Sequence, residues 1–163
     1  MPHVTIEHMI MMPILILQIF LFPLTASWIM NIWVNSRRNL TLQEVASHLG
    51  STIQQVYFLL NHKTMDGTLT QETDLPLLIE NVPYSGNATL RAVLDPTLDP
   101  TGSSSKLLEL TLKLSEIGTT TTTSVLLGQN VLWLESTYVS TSPNSGVTAT
   151  KFPNGTISMS FTS

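Results

Sequence analysis

The chain contains no cysteine, which removes disulfides, thiol nucleophiles and zinc–thiolate centres together. Charge is nearly as scarce: Asp, Glu, Lys and Arg make up 11% of the 163 residues, against roughly a quarter in ordinary soluble proteins. Ser and Thr, about a quarter of the chain, must therefore supply much of the contact with water. A formal charge of −4 leaves no basic field for the phosphates of a nucleic acid. Catalytic signatures are missing too. There is no Gly-x-Ser-x-Gly elbow, phosphate loop, His-Glu-x-x-His pair or dinucleotide fingerprint. His48 and His62 are the histidines beyond the first eight residues, and on one helix they would lie about four turns apart. The carboxylates Glu72, Asp74 and Glu80 are the candidates for an acid and base pair in a small hydrolase, although nothing in their spacing makes them converge. No cofactor and no resident metal are expected.

What the chain does have is an almost uncharged apolar run from Met9 to Val34, interrupted by Gln18, Thr25, Ser27 and Asn31. Three readings fit it. In the first, residues 1–27 are a secretory signal, with Ile14 to Leu24 as the apolar core and Thr25, Ala26 and Ser27 as the small residues at a cut after Ala26 or Ser27. The first eight residues carry no Lys or Arg, which is poor for that reading. In the second, residues 9–34 are an uncleaved membrane anchor, and Arg37 and Arg38 become juxtamembrane charges that favour a cytoplasmic C-terminal side. In the third, Pro13 and Pro23 bound a short buried core helix. The order of preference is signal, anchor, core helix.

Between Asn39 and Thr64, Leu42, Val45, Leu49, Ile53, Val56 and Leu60 recur at steps of three and four, which places them along one face of a helix. Thr41 and Glu44 have the spacing of a capping box at its start. Gly50, followed by Ser51 and Thr52, allows either one long helix or two short ones joined at a bend. With a bend, residues 42–61 approximate a helix-turn-helix whose second helix offers Gln54, Gln55, Asn61 and His62 to base edges. Only Arg37, Arg38 and Lys63 are near enough to hold phosphates, so the balance favours an amphipathic helix packed on a sheet.

From Asp66 the pattern changes to short strands between turn residues. Leu108, Leu110, Leu112 and Leu114 alternate with Glu109, Thr111, Lys113 and Ser115, the period of a strand with one buried face. Ile157, Met159 and Phe161 alternate similarly, and Pro153-Asn154-Gly155 joins them to residues 147–152 as a hairpin. Weaker strand signals lie at 77–82, 89–94, 121–127 and 131–139, with Ser85-Gly86 read as a turn and Trp133 as a core residue. The fold class expected is mainly β, more fully α+β: an antiparallel sandwich or barrel-like domain formed by residues 66–163 with the helical segment 39–64, preceded by the apolar leader.

Three sequons, at Asn39, Asn87 and Asn154, permit N-glycosylation without exceeding what chance would place in so hydroxyl-rich a chain. Asp95-Pro96 and Asp99-Pro100 read as consecutive turns in preference to a calcium loop. The five threonines 119–123 read as a β-branched strand or loop before an O-glycosylated surface. The function expected is that of a secreted or membrane-associated, non-enzymatic binding or structural surface protein, with the membrane or export machinery engaging its N-terminal segment and a protein or glycan as ligand. The competing class is a membrane-anchored regulator whose helical segment meets DNA or a partner protein on the cytoplasmic side.

Overall fold

In the computed structural model, residues 3–62, 65–92, 105–116 and 118–162 are described, with side chains from residue 9 onward. The chain is α+β. One helix, α1 (His3–Leu60), precedes eight strands: β1 (Gly67–Glu72), β2 (Tyr84–Ala92), β3 (Lys106–Leu114), β4 (Thr120–Leu127), β5 (Val131–Trp133), β6 (Thr137–Val139), β7 (Gly146–Lys151) and β8 (Ile157–Thr162). They form two four-stranded sheets, ordered β1-β7-β8-β5 and β4-β3-β2-β6. Every pairing within them is antiparallel except β5 with β8. Each sheet ends in two free edges, so the barrel alternative is not formed.

By internal contacts the chain falls into two units, Met1–Arg37 and Arg38–Ser163. In the first, α1 is helical throughout its described residues, with Pro13 and Pro23 inside it. Pro23 cannot donate to the carbonyl of Ile19, and it is tolerated in an otherwise strongly helix-forming apolar run. Thr25 returns its hydroxyl to the backbone, donating to the carbonyls of Leu21 at 3.0 Å and Phe22 at 2.9 Å. A Thr hydroxyl inside a helix commonly finds its acceptor in the preceding turn in this way.

In the second unit, the helical face expected from periodicity is the buried one. Leu42, Val45, Leu49, Ile53, Val56 and Leu60 are buried, joined by Ala46 and Tyr57. The expected start at Thr41 is absent, and of the two alternatives at Gly50 the single long helix is the one formed. Thr41 does not cap a helix, because α1 arrives already formed, and extending an existing helix is far cheaper than nucleating a new one. Gly50 does not turn the chain either. A Cβ added there would stand 3.0 Å from Val125 Cγ2, so glycine at this position lets the helix approach β4 closely.

The buried side chains of this unit form one cluster drawn from α1 and both sheets. In β3, Leu108, Leu110, Leu112 and Leu114 are fully buried. Glu109 and Thr111 between them are half-buried, and Lys113 is exposed. The β7–β8 hairpin pairs Val147 with Phe161 and Ala149 with Met159, and all four point into the core. The segment 131–139 divides into β5 and β6, which enter different sheets. Residues 77–82 are not a strand. Ile79 and Val82 make a single bridge, exchanging two backbone hydrogen bonds of 2.9 and 3.0 Å. Glu80 at φ 48° and Asn81 at φ 66° form the left-handed pair at its tip, the geometry of a two-residue hairpin turn.

Ser85-Gly86 lies inside β2, paired with β3 on one side and β6 on the other. Glycine is required there by proximity, because an added Cβ would collide with Leu112 and approach Tyr138 Cβ to 3.5 Å. The tandem Asp-Pro sequence at 95–100 lies outside the described residues.

Candidate functional surfaces

Enclosed polar chemistry in the Arg38–Ser163 unit is concentrated around two tyrosines. Tyr84 and Tyr138 are stacked with ring centroids 6.2 Å apart. The Tyr84 hydroxyl donates to the carbonyl of Pro76 at 2.8 Å, and its backbone N–H donates to Ser140 Oγ at 3.1 Å. Tyr138 shares a hydrogen bond with Thr73 Oγ1 at 3.1 Å and donates to Ser145 Oγ at 3.4 Å. Burial, reinforced by the neighbouring Tyr138 phenol, holds the Tyr84 phenol far above the ordinary tyrosine pKa. Every hydroxyl here has a protein partner, so this is a structural network linking the loops after β1 and before β7 to β2 and β6, not a reactive centre. Phe161 closes it, with its ring 5.6 Å from Tyr138 and 4.9 Å from Trp133 in edge-to-face geometry. The partly buried Trp133 packs against the core as expected, and its indole nitrogen has no acceptor.

The three candidate carboxylates all occupy exposed positions. Glu80 sits on the hairpin turn and accepts a 3.0 Å hydrogen bond from Arg38 Nε, tying that turn to α1. Glu72 ends β1 at an exposed position, and Asp74 is also exposed. Among the described residues, no group of three or more His, Asp or Glu side chains could hold a metal ion. Asp74 borders an open cleft of about 260 Å³ with Thr41, Glu44 and His48.

The helix-turn-helix geometry is likewise not formed, since residues 42–60 are one uninterrupted helix. Gln54 is half-buried, while Gln55, Asn61 and His62 are exposed. His62 is used structurally through its carbonyl, which with that of Met65 receives Lys151 Nζ at 2.9 and 2.8 Å.

Two surfaces remain. The outward face of the β1-β7-β8 sheet is a hydroxyl grid. Thr68 bonds Thr150 at 3.0 Å, Thr70 bonds Thr148 at 3.0 Å, and Thr148 bonds Thr162 at 2.7 Å. Ser158, paired with Thr150, is covered, while half-buried Ser160, paired with Thr148, extends the grid along β8. Its signal in the sequence is the alternation in 68–70, 148–150 and 158–162, which becomes a surface only once β1 is known to pair with β7. Sequon residues Asn39, Asn87 and Asn154 are all exposed, and Asn154 Oδ1 accepts from the Thr156 amide at 3.0 Å.

The second surface is the apolar part of α1. All eighteen large hydrophobic side chains from Met9 to Trp33, beginning with Met9 at 78% and ending with Trp33 at 61% accessibility, are exposed. Among the described residues this is the one helix long and apolar enough to cross a membrane, and its most apolar window is 0% buried. Where the run ends, Arg37 lies 5.8 Å over the Trp33 ring. No protein-family profile, no curated protein and no solved structure matches this chain.

Proposed function

We propose that the protein is a membrane-tethered, non-enzymatic surface component: an apolar helix holds it in lipid, and a sandwich-like β body presents hydroxyl-rich faces to a protein or glycan partner. The uncovered apolar helix carries this reading. Moving one large apolar side chain out of water is worth roughly 1.5–3 kcal/mol, so transfer of these eighteen into hydrocarbon offers tens of kcal/mol. That driving force supports hydrocarbon around the helix. The span suits a bilayer, since residues 9–34 rise about 39 Å at 1.5 Å per residue, against about 30 Å of hydrocarbon. Trp28, Trp33 and Arg37 stand at one end of the run, where aromatic rings and basic side chains meet the membrane interface.

An uncleaved anchor is favoured over a cleaved signal. Residues 25–27 continue α1, and the Thr25 hydroxyl is bonded back into the preceding turn, whereas a peptidase needs an extended segment at its cut. Exposure of all three sequons permits a β body outside the cytoplasm, while Arg37 and Arg38 just beyond the run weigh toward the cytoplasmic side, so orientation is the point to test. Expression of the full chain with a C-terminal tag, followed by protease treatment of intact cells, tests the orientation. The proposal expects the β body to be digested while a membrane-embedded N-terminal fragment survives. Complete protection would assign the β body to the cytoplasmic side and favour an anchored regulator.

A further inference from the structure

Gln18 and Thr25 are the polar side chains nearest the middle of the apolar run, each about 5 Å along the helix axis from its midpoint, and Gln18 is the one with a primary amide. It is exposed and makes no hydrogen bond to any other described residue. Of the other polar interruptions, Thr25 satisfies itself on the backbone, and Ser27 and Asn31 lie nearer the Trp33 and Arg37 end. Beside Gln18, Pro23 has no N–H to offer the carbonyl of Ile19 one turn back. The two positions share a groove lined by Leu15, Gln18, Ile19, Phe22 and Pro23. One side of α1 therefore places a primary amide amid wholly apolar neighbours.

From this, and resting on the membrane-tethered reading, we infer that the groove is a self-association site whose occupant is the same face of α1 from a second copy. A carboxamide is both donor and acceptor, so two Gln18 side chains brought together about a twofold axis along the membrane normal satisfy each other. Copies inserted in one membrane share one orientation, which is the parallel arrangement this pairing needs. Lipid tails offer no such partner, and polar side chains are established glue between membrane helices.

The experiment uses the full chain in phosphatidylcholine vesicles. Since the protein has no cysteine, single substitutions report the contact face by oxidative cross-linking. Leu15→Cys and Phe22→Cys, on the Gln18 face, are expected to cross-link. Ile16→Cys and Phe20→Cys, on the opposite face, are expected not to. Gln18→Leu should weaken dimerisation, measured by energy transfer between labelled copies, by about tenfold, and Gln18→Asn should retain most of it. Equal cross-linking from both faces, none from either, or unchanged dimerisation in Gln18→Leu would overturn the inference while leaving the tether intact. Failure of the wild-type chain to enter vesicles would overturn both, and partition, measured first, tells the two failures apart.

Discussion

At the scale of single residues, the fold depends on a few close approaches and one buried phenol. Because burial raises the pKa of Tyr84 in the folded state, its contribution to stability is complete below the unfolded tyrosine value of about 10 and is lost as the pH climbs above it. Denaturation of wild type and Tyr84→Phe between pH 7 and 11 should show this. The variant loses the hydrogen bond to the Pro76 carbonyl, at a cost of about 1 kcal/mol near neutrality, and declines less steeply in alkali. Parallel pH profiles would contradict the assignment. Gly146 is a second sensitive point, since a Cβ there would sit 2.5 Å from the Gln71 carbonyl oxygen and 3.1 Å from Glu72 Cα. Backbone cannot step aside as a side-chain tip can. Gly146→Ala should therefore separate β1 from β7 and cost about 2 kcal/mol or more in urea denaturation.

At the scale of elements, β3 is the spine of its sheet, bonded to β2 on one side and β4 on the other. Leu110→Ala should lose about 2–5 kcal/mol, while Thr122→Ala on the exposed face of β4 should stay within about 0.5 kcal/mol. For α1 the decisive property is greasiness over one bilayer thickness. Leu17→Arg places a charge near the middle of the run and should shift the full chain out of the membrane fraction, an insertion penalty of about 2.5–3.5 kcal/mol.

These elements differ in how openly the sequence announces them. β3 and β8 were legible because each has one buried and one wetter face, which writes a period of two into the residues. The inner face of α1 from Leu42 to Leu60 was legible for the same reason at period 3.6. β1 was not: Gly67–Glu72 has a single apolar residue, Leu69, so its strand identity comes from register with β7. Glycine misled at Gly86 and left Gly50 ambiguous between a bend and a continuous helix; at both its role is proximity across a packed interface and not a turn. That interface exists only after folding, and no local pattern encodes it. The candidate surfaces followed the same logic. The apolar run could be read directly, whereas the threonine grid assembles from segments some eighty residues apart.

At the scale of the whole molecule, composition and structure converge on division of labour. The Arg38–Ser163 unit closes an apolar core, whereas the other unit keeps its large apolar side chains from Met9 to Trp33 outside. The proposed tether gives such a chain two solvents. Alkaline carbonate extraction of membranes from cells expressing the full chain, with the intact mass of the extracted protein read afterwards, tests that claim most directly. The account predicts a carbonate-resistant, detergent-soluble protein that still carries residues 9–34. A freely soluble protein of full mass would contradict it.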